Sequence, residues 1–258
     1  MTQDFVSVTE LAGDEVSAEQ VERICRRYYW AGEYCREKDV LEVACGAGQG
    51  VGYLASLSKS VIAGDVSEPI LAIAARHYGD RFAFRQVDAH KMPFEPSTFD
   101  VVVIFEAIYY LRDLDQFFAE CKRVLRPQGV LLIVTANKDL FDFNASPHSF
   151  RYPGVPELNY DLGRFGFACE FFGDTPVQAV STRQRVLRPL KMIASRLGLI
   201  PKTTSGKKLL KRLVFGKLVK MPAEIRENTY PYVKPTPLDP NVPDTGHKVI
   251  FCAARLNG

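Results

Sequence analysis

The chain has 258 residues, 47% of them apolar and 24% charged, with a formal net charge of +3. That mix suits a globular chain long enough to bury one α/β core, and it excludes disorder over the whole length. No run approaches the roughly 18–20 uninterrupted apolar residues of a membrane span, and Met1 to Ala12 carries Asp4 and Glu10 in place of a basic stretch before an apolar one, so a cytoplasmic location is expected.

Ser17 with Gln20 three residues on forms a capping-box signal, and Val21, Ile24, Cys25, Tyr28 and Tyr29 recur at helical spacing. The pattern predicts a helix reaching about Tyr34. Asp39 to Ala44 is a short apolar run entering the glycine-rich turn Gly46-Ala-Gly48-Gln-Gly50, and Val51, Leu54, Ala55 and Leu57 then share one helical face. The alternation continues with strand Val61–Gly64, helix Pro69–Tyr78, strands Phe82–Val87 and Phe99–Phe105, helix Asp113–Leu125, turn Arg126–Gly129 and strand Val130–Thr135. Strands alternating with helices, several of them unbroken apolar runs, predict a mostly parallel sheet covered on both faces. A helix around Pro156–Arg164, a strand Phe167–Phe172 and a final strand Lys248–Ala254, expected as an edge hairpin partner, complete the core.

Between the last two strands the charge is one-sided. No acidic residue lies between Asp174 and Glu224, while twelve basic ones do, from Arg183 to Lys220; the rest of the chain has 21 basic against 30 acidic residues. Within that segment Val186, Leu190, Ile193 and Leu197, then Leu209, Leu210, Leu213 and Val214, oppose basic faces and predict two short amphipathic helices. Six prolines between Pro222 and Pro243 predict an extended or flexible return. The boundaries are therefore an N-terminal helical segment that could act as a lid (1–38), a core (39–180), a basic helical and Pro-rich insertion (181–245) and the last strand (246–258). Cys25, Cys35, Cys45, Cys121, Cys169 and Cys252 show neither a CxxC pair nor metal-ligand spacing, and reduced core thiols without a metal site are expected.

A glycine-rich turn from a parallel strand into a helix places backbone N–H groups where open α/β sheets bind ligands. The dinucleotide fingerprint GxGxxG fails, since its third position falls on Val51 or Tyr53. The segment Leu41-Glu-Val-Ala-Cys-Gly-Ala-Gly-Gln-Gly50 instead resembles the first motif of class I S-adenosylmethionine-dependent methyltransferases. The resemblance spans about Asp39 to Phe172 and returns in the last strand. It implies a Rossmann-like class I methyltransferase fold, a mostly parallel seven-stranded sheet with the basic insertion before its last strand, and S-adenosylmethionine as cofactor. By the same resemblance Glu42 holds the amino group of the methionine portion, Gly46 and Gly48, and more weakly Gly50, let the cofactor approach the backbone, and Asp65 takes both ribose hydroxyls. Asp88-Ala89 matches the signal beside the adenine, and Phe105 at the end of its strand joins the cofactor set. Taken singly, Gly48 reads equally as a turn glycine and Asp65 as a loop aspartate; their order and spacing argue for the site.

For the transfer itself, side chains after the fourth and fifth parallel strands are the candidates: Tyr109, Tyr110, Asn137, Lys138, Asp139, Asn144 and His148, with Glu106 of second rank. His148 is the histidine considered as a base, against an exposed loop role; His77, His90 and His247 read as surface, cap or edge residues. Tyr28, Tyr29 and Trp30 fit either a lid over the cofactor or core packing. The stretch Asn137–Leu158 is similar to methyltransferases of bacterial surface-polysaccharide pathways, which implies a sugar hydroxyl on a glycan, nucleotide-linked or lipid-linked precursor, with the basic insertion meeting an anionic partner or membrane face. A solvated cap is the plain alternative for that insertion. An RNA acceptor fits less well because Phe215 is the single aromatic residue between Asp174 and Glu224, and another small-metabolite acceptor or a non-catalytic cofactor-binding protein stays open.

Overall fold

The computed structural model describes residues 9–177 and 218–257. A short strand β1 (Glu15–Ser17) leads into α1 (Ala18–Cys35), whose capping box is formed: Gln20 N–H donates to Ser17 Oγ and the Gln20 side chain accepts from Ser17 N–H. Then come β2 (Asp39–Val43), α2 (Val51–Leu57), β3 (Ser60–Asp65), α3 (Glu68–Tyr78), β4 (Phe84–Gln86), β5 (Phe99–Phe105), α4 (Leu114–Val124), β6 (Leu125–Ala136), α5 (Val155–Arg164) and β7 (Phe167–Pro176). Past the undescribed segment lie β8 (Leu218–Lys220), β9 (Thr236–Leu238) and β10 (His247–Leu256).

The main sheet has the order β4-β3-β2-β5-β6-β10-β7-β9, and β4 through β6 in that order pair in parallel. Successive residues of a strand point to opposite faces, which divides the core in two. Val101 and Val103 pack with α1, while Val102 and Ile104 pack with α4 and α5.

Three expectations need correction. The main sheet has eight strands rather than seven, because Thr236-Pro-Leu238 adds a short strand beside β7, where an edge position tolerates proline. β10 is no edge: it lies between β6 and β7, antiparallel to both, and is buried along most of its length. Residues 126–129, expected as a free turn, lie within β6, which pairs Leu125 with Phe99 before a register shift. The amphipathic helices expected from 186 to 214, and all the basic residues of that segment except Lys220, lie outside the described residues.

The return after β8 is ordered. Ile225 is buried and its N–H donates to Gln49 O at 2.7 Å, Tyr29 OH donates to Arg226 O at 2.7 Å, and Arg81 pairs with Glu224. The Pro-rich return is thus strapped across α1 and the turn after β2. β8 itself pairs with β1, and Lys220 Nζ donates to Gly13 O. Among the described residues no helix is long and apolar enough to cross a membrane. None of the six cysteines forms a disulfide, and all but Cys169 are buried.

Trp30 is core rather than lid: it is 1% exposed, against Phe251 at 5.0 Å and Tyr34 at 5.3 Å between ring centroids. Trp30→Ala is expected to cost about 3–5 kcal/mol in urea denaturation through the cavity it opens between α1 and the sheet.

Candidate active site

The carboxyl ends of β2, β3 and β5 and the loop after β4 open into a cavity of about 570 Å³ walled on one side by α1. The turn after β2 shapes it. Gly46 has φ +58°, a left-handed backbone conformation that side chains disfavour, and its N–H is turned to Asp65 Oδ2 at 3.0 Å. At Gly50 a Cβ would stand 2.1 Å from the Tyr28 ring, so only glycine lets α1 come this close. Gly48, expected at the cofactor, faces α3 instead: its missing side chain makes room for Tyr78 and Ala74, and it does not line the cavity.

Glu42 ends the buried face of β2 at 2% exposure. Tyr28 OH donates to its Oε1, and its Oε2 is buried with no hydrogen-bond partner. Burial pushes this carboxyl up to about 7, against the opposing pull of the Tyr28 hydroxyl and the Arg27 charge. A buried acceptor without a donor is costly unless something completes it, and an ammonium group is the complement of an orphaned carboxylate oxygen. The residues present therefore fit the amino acid end of S-adenosylmethionine.

Asp65, 6% exposed at the end of β3, accepts from Gly46 N–H through Oδ2 and from Ser67 N–H through Oδ1 at 2.9 Å. Burial raises its carboxyl while these N–H groups hold it down. Each oxygen retains a second acceptor position, enough for a pair of neighbouring hydroxyls. Asp88 and Ala89 line the far wall, and Asp88 Oδ1 accepts from the His90 backbone N–H and meets its Nδ1, both at 2.9 Å. His90 Nε2 in turn accepts from Asp113 N–H at the start of α4, so this histidine ties two loops together. Phe105 closes β5 with its ring edge-on to Tyr28, centroids 5.2 Å apart.

Just past β5, Glu106 carries a backbone φ of +51° held by its N–H on Val134 O at 2.7 Å. A non-glycine residue in that conformation stores strain of order 1 kcal/mol or more, which is common at working sites. Its carboxylate accepts from Tyr109 OH at 3.3 Å and pairs with Arg23 at 3.2 Å. Tyr109 stacks on Tyr152 at 4.2 Å, and burial keeps its phenol well above its ordinary value, so it stays protonated. Tyr110 also lines the cavity, its hydroxyl sharing a hydrogen bond with Ser146.

Two candidate catalytic residues fall outside. Asn137 is 2% exposed but spent: its Nδ2 donates to Asp244 O, Asp244 Oδ2 and His247 O, and its Oδ1 accepts from Asp139 N–H. His148 sits exposed in a loop turn at φ +68°, away from the cavity wall. Lys138 and Asp139 pair with each other, and Asn144 is exposed. Sequence reasoning missed Arg23, Arg27 and Arg112, all of which line the cavity. Their signal was the i, i+4 spacing of Arg23 and Arg27 on the same face as Tyr28, which reads equally as a solvated stripe.

Residues 41–133 match the family described as a methyltransferase domain. The YcgJ protein of Bacillus subtilis superposes with a TM-score of 0.59 at 17% identity, covering 90% of this chain and 98% of that one. The fold is that of the class I methyltransferases. A Mycolicibacterium smegmatis protein named as a probable S-adenosylmethionine-dependent methyltransferase is 36% identical over 140 residues, 53% of this chain and 54% of the relative. A ubiquinone biosynthesis O-methyltransferase of Rhizobium etli is 30% identical over 104 residues, 39% of this chain and 42% of the relative. The chain thus spans about half the length, or less, of these curated relatives.

The raised Glu42 carboxyl has a consequence for stability without ligand. Between its ordinary value near 4.5 and about 7 the folded chain keeps a proton that the unfolded chain has released, so this contribution is present at low pH and is lost as pH rises through 7. Relative to Glu42→Gln, the wild-type protein should lose roughly 2–3 kcal/mol between about pH 5 and about pH 8, read by urea denaturation.

Proposed function

We propose that this chain transfers the methyl group of S-adenosylmethionine to a hydroxyl of a small acceptor. The observation that carries the reading is the buried Glu42 Oε2 without a donor, four residues before Gly46, on the parallel strand next to the one that ends in Asp65. In this reading Glu42 takes the cofactor's ammonium, Asp65 the ribose hydroxyls and Asp88-Ala89 the adenine edge, while Phe105 and Tyr28 border the reacting end. The cofactor brings its own activated methyl on a sulfonium, so the protein's task is alignment and exclusion of water.

Glu106 is the carboxylate placed to receive the acceptor's proton, and Tyr109, held protonated, donates to it and fixes its direction. Glu106 thereby takes the role of base considered for His148, and Asn137 has no part in the proposed reaction. The acceptor class we propose is a sugar hydroxyl of a glycan, nucleotide-linked or lipid-linked precursor. The aromatic lining formed by Phe105, Tyr109, Tyr110 and Phe150 supports a ring-shaped acceptor, and the basic segment of 183–220 supports an anionic or membrane-surface partner. A phenolic ring is the second reading, favoured by the named O-methyltransferase relative.

Radiolabelled methyl from S-adenosylmethionine, added with the protein to an extract, distinguishes these readings. Label in lipid-linked or sugar-containing fractions supports the first, label in small aromatic products supports the second, and no label in any fraction overturns the activity.

Asp65→Ala should weaken S-adenosylhomocysteine binding by ~1.5–3 kcal/mol in calorimetry, since charge-assisted hydrogen bonds are lost. Glu106→Gln should leave that affinity within about twofold and lower kcat by about a hundredfold, the usual size of a lost general base.

A further inference from the structure

Asp88 lines the cavity with a side chain that is 57% exposed, which leaves a lone carboxylate free to swing among rotamers. His90 removes that freedom. Its backbone N–H and its ring Nδ1 both meet Asp88 Oδ1 at 2.9 Å, while Asp88 Oδ2 accepts from nothing among the described residues. Against burial, which raises it, these donors hold the Asp88 carboxyl below its ordinary value.

The ring is fixed from its other side as well. The Asp113 backbone N–H can only donate, and it lies 3.3 Å from His90 Nε2, so Nε2 carries no proton and Nδ1 carries it. The neutral ring thus donates to Asp88 and accepts from the residue that caps α4, where Asp113 Oδ1 takes the Gln116 N–H. Tying the loop to α4 needs Nε2 alone, and the turn at Asp88 is already closed by the His90 backbone N–H. The ring's bond to Oδ1 is surplus to both. It fills the second acceptor position of Oδ1 and leaves Oδ2 as the oxygen with capacity for a ligand.

We propose that His90 is a positioning residue for the purine: by holding Asp88 Oδ1 it presents Oδ2 to the exocyclic amino group of the cofactor's adenine, and makes the site select an amino-bearing purine over an oxo-bearing one. This deepens the proposed function and rests on its placement of the adenine edge at Asp88-Ala89. An amino group donates to the fixed carboxylate oxygen, whereas an oxo group sets a second acceptor against it and leaves both without a donor. A carboxylate held in one rotamer before binding loses no further conformational freedom on making the contact.

The test is calorimetry with S-adenosylhomocysteine and S-inosylhomocysteine as paired probes, on the full-length wild-type protein and three variants. The wild type should prefer the adenine compound by about tenfold or more. Asp88→Asn should reverse that preference, because the two His90 donors hold the amide oxygen and leave the amide N–H toward the purine. His90→Asn keeps an N–H donor at the place of Nδ1 and should hold the preference within about twofold of wild type, while His90→Gln keeps an acceptor at the place of Nε2, loses the donor to Asp88 and should reduce the preference by about fivefold or more. A role confined to tying the loop to α4 predicts the opposite order for the two His90 variants, and urea denaturation of the unliganded proteins separates loss of fold from loss of selection. The inference is overturned if the wild type binds both compounds equally, if Asp88→Asn still prefers adenine, if His90→Gln retains the preference or if His90→Asn loses it. Failure of the wild-type protein to take S-adenosylhomocysteine at all would sink the proposed function instead.

Discussion

A carboxylate at the end of a central strand, shielded from water and with one oxygen lacking a donor, is a state that a folded chain sustains only if its surroundings hold it in place. Glu42 is in that state, and much of the molecule near it follows from the requirement. Gly50 lets α1 approach closely enough for Tyr28 to donate to Glu42, and Phe105 meets Tyr28 from β5. The Pro-rich return pins the outside of this arrangement through Ile225 on Gln49. Burial lifts Glu42 to about 7, so near neutral pH the site sits close to the point where a cationic ligand decides its ionisation.

The charges that line the cavity act on one another, the Arg27 guanidinium on α1 reaching Glu42. On the cofactor side Glu42, Asp65 and Asp88 form an acidic wall whose hydrogen bonds come mainly from backbone N–H groups, which keeps acceptor capacity free for a ligand. Guanidinium groups from α1 and from the loop after β5 face aromatic rings. Glu106 follows β5, paired with Arg23, its strained backbone anchored to β6.

What sequence showed and what it hid have separate physical reasons. Strand–turn–helix order, and the gathering of Glu42, Gly46, Asp65, Asp88 and Phe105 around one cavity, were legible because they depend on local rules: alternation, a glycine turn that must bend, a carboxylate at a strand end. Gly48 was misplaced because a glycine's neighbour in space, here α3, is not written in its own motif. Asn137 and His148 were expected at the site because both follow a strand, but β10 pairs antiparallel with β6 and brings Asp244 and His247 onto Asn137. Arg27 and Arg112 were hidden for the converse reason, since a helix stripe and a loop arginine acquire meaning only once Phe105 and Phe150 lie beneath them. The eighth strand was hidden by proline at position 237, which sequence patterns count against a strand and a sheet edge accepts.

The most direct test of the account is proton release on cofactor-product binding. Calorimetric titration of the wild-type protein with S-adenosylhomocysteine at about pH 6, repeated in two buffers of different ionisation enthalpy, counts the protons exchanged. If the ligand's ammonium completes Glu42, binding should expel close to one proton at this pH, fewer as pH rises above 7, and none in Glu42→Gln. Binding without proton release at the lower pH, or release that survives in Glu42→Gln, would contradict the placement of the cofactor's amino group and with it the reading of the cavity.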